Sequence, residues 1–246
     1  MGSKTTKEIQ AHYQQSAVAD KYDLRRFEGV GGLYVNDQEI MPVTDLLKSI
    51  YGKSKKKILD IGAGRGRLTF PILKLGHLVF CLDSSKAMTK YLYPKISSKN
   101  IIIQSAFEKF PANIVVDCIT SLRFFDHFNL QDHEKLIKNA VKSLSYGGHF
   151  VFTGLNSTSI EYLISSLFSY GRYNYYYSHD QYLSLFQKIG LRVITKKTSF
   201  FIPRGVFLYT QKIPFLCNFL INSDRFLLRL LPNFGAHVTF DLMKQE

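Results

Sequence analysis

An α/β sandwich, a mostly parallel sheet held between layers of helix, is the fold this sequence predicts, on three observations. The run Lys57-Ile58-Leu59-Asp60-Ile61 ends in the closely spaced glycines Gly62, Gly64 and Gly66 and leads into Leu68-Thr69-Phe70, which reads as a buried strand, a tight turn and a helix start. A second apolar run, Leu78 to Leu82, closes on Asp83, about twenty residues past the turn. Further strands at 101–103, 114–122 and 149–153 alternate with helical segments, and βα repeats build a parallel sheet that binds ligands at the carboxyl ends of its strands.

The glycine turn narrows the ligand. Its spacing is G-x-G-x-G, and Arg67 stands where the dinucleotide fingerprint G-x-G-x-x-G has its third glycine. Asp60 lies inside the strand, where a carboxylate is costly to bury unless a cation meets it. S-adenosylmethionine offers two cations, an α-ammonium and a sulfonium. The string Ile-Leu-Asp-Ile-Gly-Ala-Gly-x-Gly resembles the first motif of class I S-adenosylmethionine-dependent methyltransferases. A nicotinamide oxidoreductase is disfavoured by the same two features.

That resemblance covers nearly the whole chain and implies a Rossmann-like three-layer sandwich with seven strands, mostly parallel, the last antiparallel. It implies one domain over residues 1–246: an N-terminal helical cap (1–52), a cofactor-binding half (53–155), and an acceptor-side half (156–246) with a helical lid inserted at about 200–234. S-adenosylmethionine is the implied cofactor, held by Asp60, Gly62, Ala63 and Gly64 at the turn. Asp83 matches the acid that accepts both ribose hydroxyls, and Ser84 to Met88 the segment that runs past the adenine. Asp83 could also cap a helix over 84–93. After the third strand, Ser105 stands where the family has an acid, followed by Ala106 and Phe107; Phe107 could lie against the adenine or in the core. Leu122, at the end of the fourth strand, completes the cofactor set. The lead-in Tyr-Asp-x-Arg-Arg-Phe…Gly-Gly-x-Tyr-Val looks like that of a bacterial and archaeal branch, in which it folds over the cofactor. Tyr22 and Arg26 would then meet the methionine end, the arginine through a bidentate carboxylate contact. Ordinary packing is the competing reading for both.

Residues 121–127 fall above the cofactor. His127 is the candidate for acid–base work because histidine titrates near neutrality, with Asp126 as the fallback base. On the acceptor side stand Tyr175 and Tyr176, from the aromatic run 170–177, and Arg204 at the start of the lid. The tyrosines could instead be packing residues. In the lid, Phe215, Leu216, Phe219, Leu220, Phe226, Leu227, Leu230 and Leu231 fall at helical spacing among Lys212, Asp224, Arg225 and Arg229. Such a basic amphipathic lid could admit a lipid-like acceptor, rest on an anionic membrane surface, or cover a pocket or a second copy.

Local signals set the remaining elements. Helices are expected over 6–19 and about 37–51, with Gly29-Val30-Gly31-Gly32 between them and Pro42 as a start or kink. Asn129 should cap a helix stopped by Gly147-Gly148, and Ser178-His179-Asp180-Gln181 should open one that ends at Gly190. A strand over 191–196 and a last strand over 236–242 flank the lid.

Composition bounds the function. The 246 residues carry a net charge of +13, which suits an anionic partner or simply a solubilising surface. Three scattered cysteines give no metal or disulfide pattern, and no metal is expected. With no signal peptide or spanning segment in view, a cytoplasmic protein is expected, peripheral to a membrane at most. Met1-Gly2-Ser3-Lys4-Thr5-Thr6 matches the short myristoylation pattern, which chance or a cloning remnant also explains. The expected activity is methyl transfer to oxygen or nitrogen of a small-molecule, glycan or lipid-like acceptor. The alternatives are an RNA methyltransferase, for which no Asn-Pro-Pro-Tyr-like or Pro-Cys motif is found, and a cofactor-binding subunit without catalysis, which Ser105 keeps open.

Overall fold

Seven strands, β1 (Lys57–Ile61), β2 (Leu78–Asp83), β3 (Ile101–Gln104), β4 (Val116–Ser121), β5 (Leu144–Leu155), β6 (Leu191–Ser199) and β7 (His237–Lys244), form one sheet in the order 3-2-1-4-5-7-6 in the computed structural model. The structure describes residues 6–21, 27–96, 101–104, 114–167 and 174–245. Strands β1 to β5 pair in parallel, and β7 runs antiparallel between β5 and β6, as the resemblance implies. Strand order reverses between β1 and β4. Loops there diverge to opposite sides and leave a crevice at the strands' carboxyl ends.

The helices are α1 (Thr6–Tyr13), α2 (Ser16–Lys21), α3 (Gly29–Tyr51), α4 (Thr69–Lys74), α5 (Lys86–Thr89), α6 (Leu130–Val141), α7 (Ile160–Leu167), α8 (His179–Ile189), α9 (Arg204–Thr210) and α10 (Pro214–Leu230). Alternation along each strand divides the core between two faces. Leu59, Ile61, Ile119, Phe150, Phe152 and Phe240 pack against Leu136 and Ile137 of α6 and Tyr182 and Phe186 of α8. Ile58, Val79, Cys81, Cys118 and Val151 face Val43, Leu46 and Leu47 of α3 and Ile72 of α4. Each such fully buried side chain contributes about 1.5–3 kcal/mol. This is the three-layer arrangement expected.

Several boundaries differ from the sequence reading, each for a local reason. The first helix is broken into α1 and α2 around Gln14 and Gln15. Helix α3 runs through Gly29–Gly32 and Pro42 instead of starting near Asp37. Gly31 is needed there because α9 packs on its backbone: a Cβ would lie 2.1 Å from the Phe207 carbonyl oxygen. Pro42 cannot donate to the Gln38 carbonyl one turn back. The Ser199 hydroxyl at the end of β6 donates to that carbonyl instead, at 3.0 Å, so the helix continues. Helix α5 is short, and its cap is Ser85, whose Oγ accepts from the Met88 amide at 3.1 Å; Asp83 is not the cap. Gly147 and Gly148 do not stop α6, which ends at Val141, but form part of a bulge in β5, where the ladder steps from Val116–Leu144 to Cys118–His149. Asn129 and the Ser178–Gln181 capping box act as expected, and α8 ends on Gly190 in the left-handed conformation.

The insertion between β6 and β7 comprises α9, α10 and a 3-10 turn at Pro232–Phe234. Phe200, Phe207, Cys217 and Ile221 from it form a third core with Tyr34 and Val35 of α3. Asp224 anchors it: its Oδ1 accepts from the Ile202 amide and its Oδ2 from the Tyr34 hydroxyl, both at 2.6 Å. No helix of the described residues is long and apolar enough to cross a membrane.

Candidate active site

The glycines of the turn divide between two tasks. Gly62, Gly64 and Gly66 all adopt positive φ, at 73°, 54° and 89°. A Cβ on Gly62 would lie 2.8 Å from Phe124, and one on Gly66 2.5 Å from Leu92, so those two admit neighbouring side chains. A Cβ on Gly64 would meet nothing nearer than 3.9 Å. Gly64 is the open position. The Gly62 and Ala63 amides donate to the Leu82 carbonyl at 2.8 and 3.2 Å, and the Ala63 methyl sits in the core beside α3, leaving its backbone to the turn.

Asp83, buried at the end of β2, joins the turn to the next loop. Its Oδ2 accepts from the Gly64 amide and its Oδ1 from the Ser85 amide, both at 2.8 Å. Burial pushes its carboxyl above the ordinary value against the pull of those amides. Met88 is buried behind it, and Leu122 is half-buried against the core beside α3.

Asp60 meets two hydroxyls where the sequence reading expected a cation. Thr69 of α4 donates to its Oδ2 at 2.6 Å, and Thr120 of β4 to its Oδ1 at 3.1 Å. Burial pushes this carboxyl up to about 7; the two hydroxyls lower it, and the nearby Asp83 charge raises it. Asp60 therefore ties β1 to α4 and β4 and titrates near neutrality.

The N-terminal helices reach the turn and the loop after β2. Gln14 Nε2 donates to the Ser84 carbonyl and Ser85 Oγ to the Tyr13 carbonyl, both at 2.7 Å. Arg65 of the turn donates to the Ala19 carbonyl at 2.6 Å and stacks 3.8 Å over the Tyr91 ring. Tyr13 Oη stands 3.3 Å from His127 Nε2, and His127 is half-buried. Tyr22, Arg26, Ala106 and Phe107 lie outside the described residues.

Between α3, α7, the loop after β4 and the foot of the lid the structure gathers a buried ionic cluster. Glu39 of α3 lies 2.5 Å from Arg67, 3.4 Å from Arg123 and 3.2 Å from Arg204. Arg204 reaches Glu161 of α7 at 2.6 Å, and Arg123 Nε reaches Asp126 at 2.8 Å. Glu39 is held down to about 2, since the arginines outweigh its burial. Burial dominates at Asp126 and Glu161, pushing them up to about 6 and about 7. Arg123 adopts φ of 59°, an unusual conformation for a residue with a side chain, costing about 1–3 kcal/mol. Tyr176 joins this cluster beside Glu161, its hydroxyl pushed upward by burial and that charge. Tyr175 turns toward the core, its ring 6.5 Å from that of Tyr177, while its amide donates to the Asp126 carbonyl at 2.7 Å. The donors of Arg204 go to Glu161 and Glu39, so this arginine fastens the lid.

Glu39, Glu161, Thr69, Thr120 and Tyr13 were not singled out from the sequence. Glu39 had a visible signal, standing on the apolar stripe of Val35 and Val43 at helical spacing.

Residues 59–152 match the family model described as a methyltransferase domain. The chain is 32% identical over 125 residues to the uncharacterized methyltransferase YrrT of Bacillus subtilis, covering 50% of this chain and 59% of that protein. It spans about half to three-fifths of the curated relatives it matches, 51% and 62% for two Bacillus and Geobacillus methyltransferases. Among solved structures it resembles magnesium protoporphyrin IX methyltransferase of Synechocystis with bound S-adenosylhomocysteine, with TM-score 0.71, 11% identity, and 98% and 100% of the two chains covered. It also resembles a 1,6-didemethyltoxoflavin-N1-methyltransferase of Burkholderia thailandensis, with TM-score 0.64, 14% identity, and 100% and 93% covered. Sheet order, glycine turn and family match identify residues 59–152 as a class I, Rossmann-like methyltransferase domain.

Proposed function

We propose that the protein transfers the methyl group of S-adenosylmethionine to an oxygen or nitrogen of a small-molecule, glycan or lipid-like acceptor. The observation that carries this reading is the bond from the Gly64 amide to Asp83 at 2.8 Å, which fixes an acid beside an open glycine at the reversal of strand order. The residues fit the cofactor. Asp83 keeps lone pairs for a ribose diol, Gly64 lets the ligand approach the backbone, and Asp60 can ionise near neutrality as a cation approaches. A small-molecule acceptor is supported by the Burkholderia neighbour, which was crystallised with such a substrate and S-adenosylhomocysteine.

When bound, the cofactor supplies a methyl carbon already activated by the sulfonium. The chain's part is then mainly alignment, for which ideal geometry contributes roughly 7–11 kcal/mol. α1 and α2 close over the turn and exclude water. His127, held by Tyr13, accepts the proton of an oxygen acceptor, with Asp126 as the alternative base. Tyr176 borders the acceptor, and Arg204 positions the lid rather than the substrate. A neutral amine needs no base during transfer. His127→Ala should therefore cost roughly 10²–10⁴-fold in turnover on an oxygen acceptor and little on an amine.

Calorimetric titration with S-adenosylmethionine and with NAD, on the wild type and on Asp83→Ala, tests the cofactor assignment. Micromolar binding of S-adenosylmethionine, weakened at least about tenfold by the substitution, is expected, since bonds to a charged acceptor contribute about 1.5–3 kcal/mol each. A folded sample that binds neither, or prefers NAD, overturns it.

A further inference from the structure

The outer face of α10 is apolar and uncovered. Cys217, Ile221 and Asp224 turn inward, and on the opposite side Phe215, Phe219, Phe226 and Leu230 are 86%, 60%, 60% and 60% exposed. These four lie at offsets of four, seven and four residues, so they form one stripe roughly 22 Å long at 1.5 Å per residue. Ile213 before the helix and Leu231 and Phe234 after it are exposed as well. A folded chain gains nothing by showing three phenylalanines to water on one helix face, and contiguous apolar surface of this kind marks a contact.

Charge distinguishes what makes that contact. Lys212, Arg225 and Arg229 are exposed at or along the helix, while its single acid, Asp224, is buried against Tyr34 and the Ile202 amide. The exposed face of α10 is thus basic at its edge and offers no acid to another molecule. Two copies joined through this face would bring like charges together. An anionic bilayer surface satisfies both features, taking the aromatic and leucine side chains into the headgroup boundary and the cations against its phosphates.

We infer that α10 is a membrane-docking helix that rests the lid of this protein on an anionic lipid surface. This goes beyond the methyl-transfer reading and stands without it, since it concerns the outer face of the lid. The lid also bounds the acceptor side of the crevice, being fastened to α3 and α7 through Arg204. A docked lid would sit between the bilayer and the site.

Sedimentation of the whole protein with vesicles tests the inference, using phosphatidylcholine alone and phosphatidylcholine containing about a third phosphatidylglycerol. Binding to the anionic vesicles is expected, falling steeply with added salt, with little binding to the neutral ones. Lys212→Gln with Arg229→Gln should weaken it on the order of 25-fold, at roughly fivefold per basic residue. Phe219→Ser with Phe226→Ser should weaken it at least as much while leaving Tm unchanged, because both side chains face solvent. Failure of the wild type to prefer anionic vesicles overturns the inference, as does undiminished binding by the phenylalanine variant. A dimer in solution that the phenylalanine variant dissolves also overturns it, by making a second copy the occupant. Titration with S-adenosylmethionine on the same variants reads the cofactor site separately.

Discussion

Tyr13 Oη stands 3.3 Å from His127 Nε2, joining the first helix to the loop after β4 across 114 residues of sequence. The contact closes α1 over the crevice and fixes the ring that the proposed mechanism uses as a base. Tyr13→Phe keeps the ring and removes the hydroxyl. One neutral hydrogen bond contributes about 0.5–1.5 kcal/mol, so S-adenosylmethionine should bind roughly two- to tenfold more weakly. Titration calorimetry gives the answer, and an unchanged Kd means that the helix does not close on the ligand.

The Asp60 carboxyl, pushed up to about 7 by burial, makes stability depend on pH. Its folded pKa lies above the unfolded value, so its contribution is complete below about 4, and is lost as pH rises through about 7. Asp60→Asn removes this titration and keeps the shape. Urea midpoints measured from pH 4 to pH 8.5 should show the wild type losing stability relative to the variant as pH rises. Parallel curves would rule out Asp60 as the titrating group.

Glu39 is the acid on which the ionic cluster depends, because Asp126 and Glu161 are both pushed toward their neutral forms by burial. Glu39→Gln leaves Arg67, Arg123 and Arg204 facing one another with less compensation. Breaking a buried pair in this way costs about 3–5 kcal/mol. Glu161→Gln should cost distinctly less at pH 7, where Glu161 is already partly protonated. Thermal melts of the two variants rank them, and equal losses contradict the assignment.

Two glycines, one in α3 and one in α9, should respond oppositely to alanine. A Cβ on Gly31 meets backbone at 2.1 Å, so Gly31→Ala must push α9 away, at about 1–3 kcal/mol. A Cβ on Gly205 meets only the Tyr209 ring edge at 3.8 Å, within a helix, so Gly205→Ala should stabilise by about 0.4–1 kcal/mol. Denaturant midpoints for the pair decide the matter; a neutral Gly31→Ala would mean that α9 does not pack against α3 as described.

The parallel sheet was legible because its strands are nearly continuous apolar runs, the first ended by Gly62 and the second by Asp83, and the lid because Phe215 through Leu231 keep helical spacing. Asp83 was legible from its distance to the turn. Helix α3 was misread at its start because glycine and proline report local preference, whereas α9 against Gly31 and Ser199 on the Gln38 carbonyl are tertiary facts. Asp60 was noticed, yet its partners Thr69 and Thr120 come from two other elements that only the fold assembles. The same holds for Glu39, whose three arginines lie 28, 84 and 165 residues away by number. Charges on an apolar helix face mark a burial problem without naming its solution.

Glu39 also bridges two halves of the molecule, since Arg67 belongs to the glycine turn and Arg204 to the foot of the lid. On the proposed reading these are the cofactor and acceptor sides, and the shared counterion predicts that they are thermodynamically coupled. Any movement of Arg67 that strengthens or weakens its hold on the carboxylate is felt at Arg204, and the reverse. Heterotropic coupling of this kind is reciprocal: an acceptor that resettles the lid should change the affinity for S-adenosylmethionine by the factor by which the latter changes affinity for the acceptor. In Glu39→Gln the two titrations should become independent, each Kd unchanged by saturation with the other ligand.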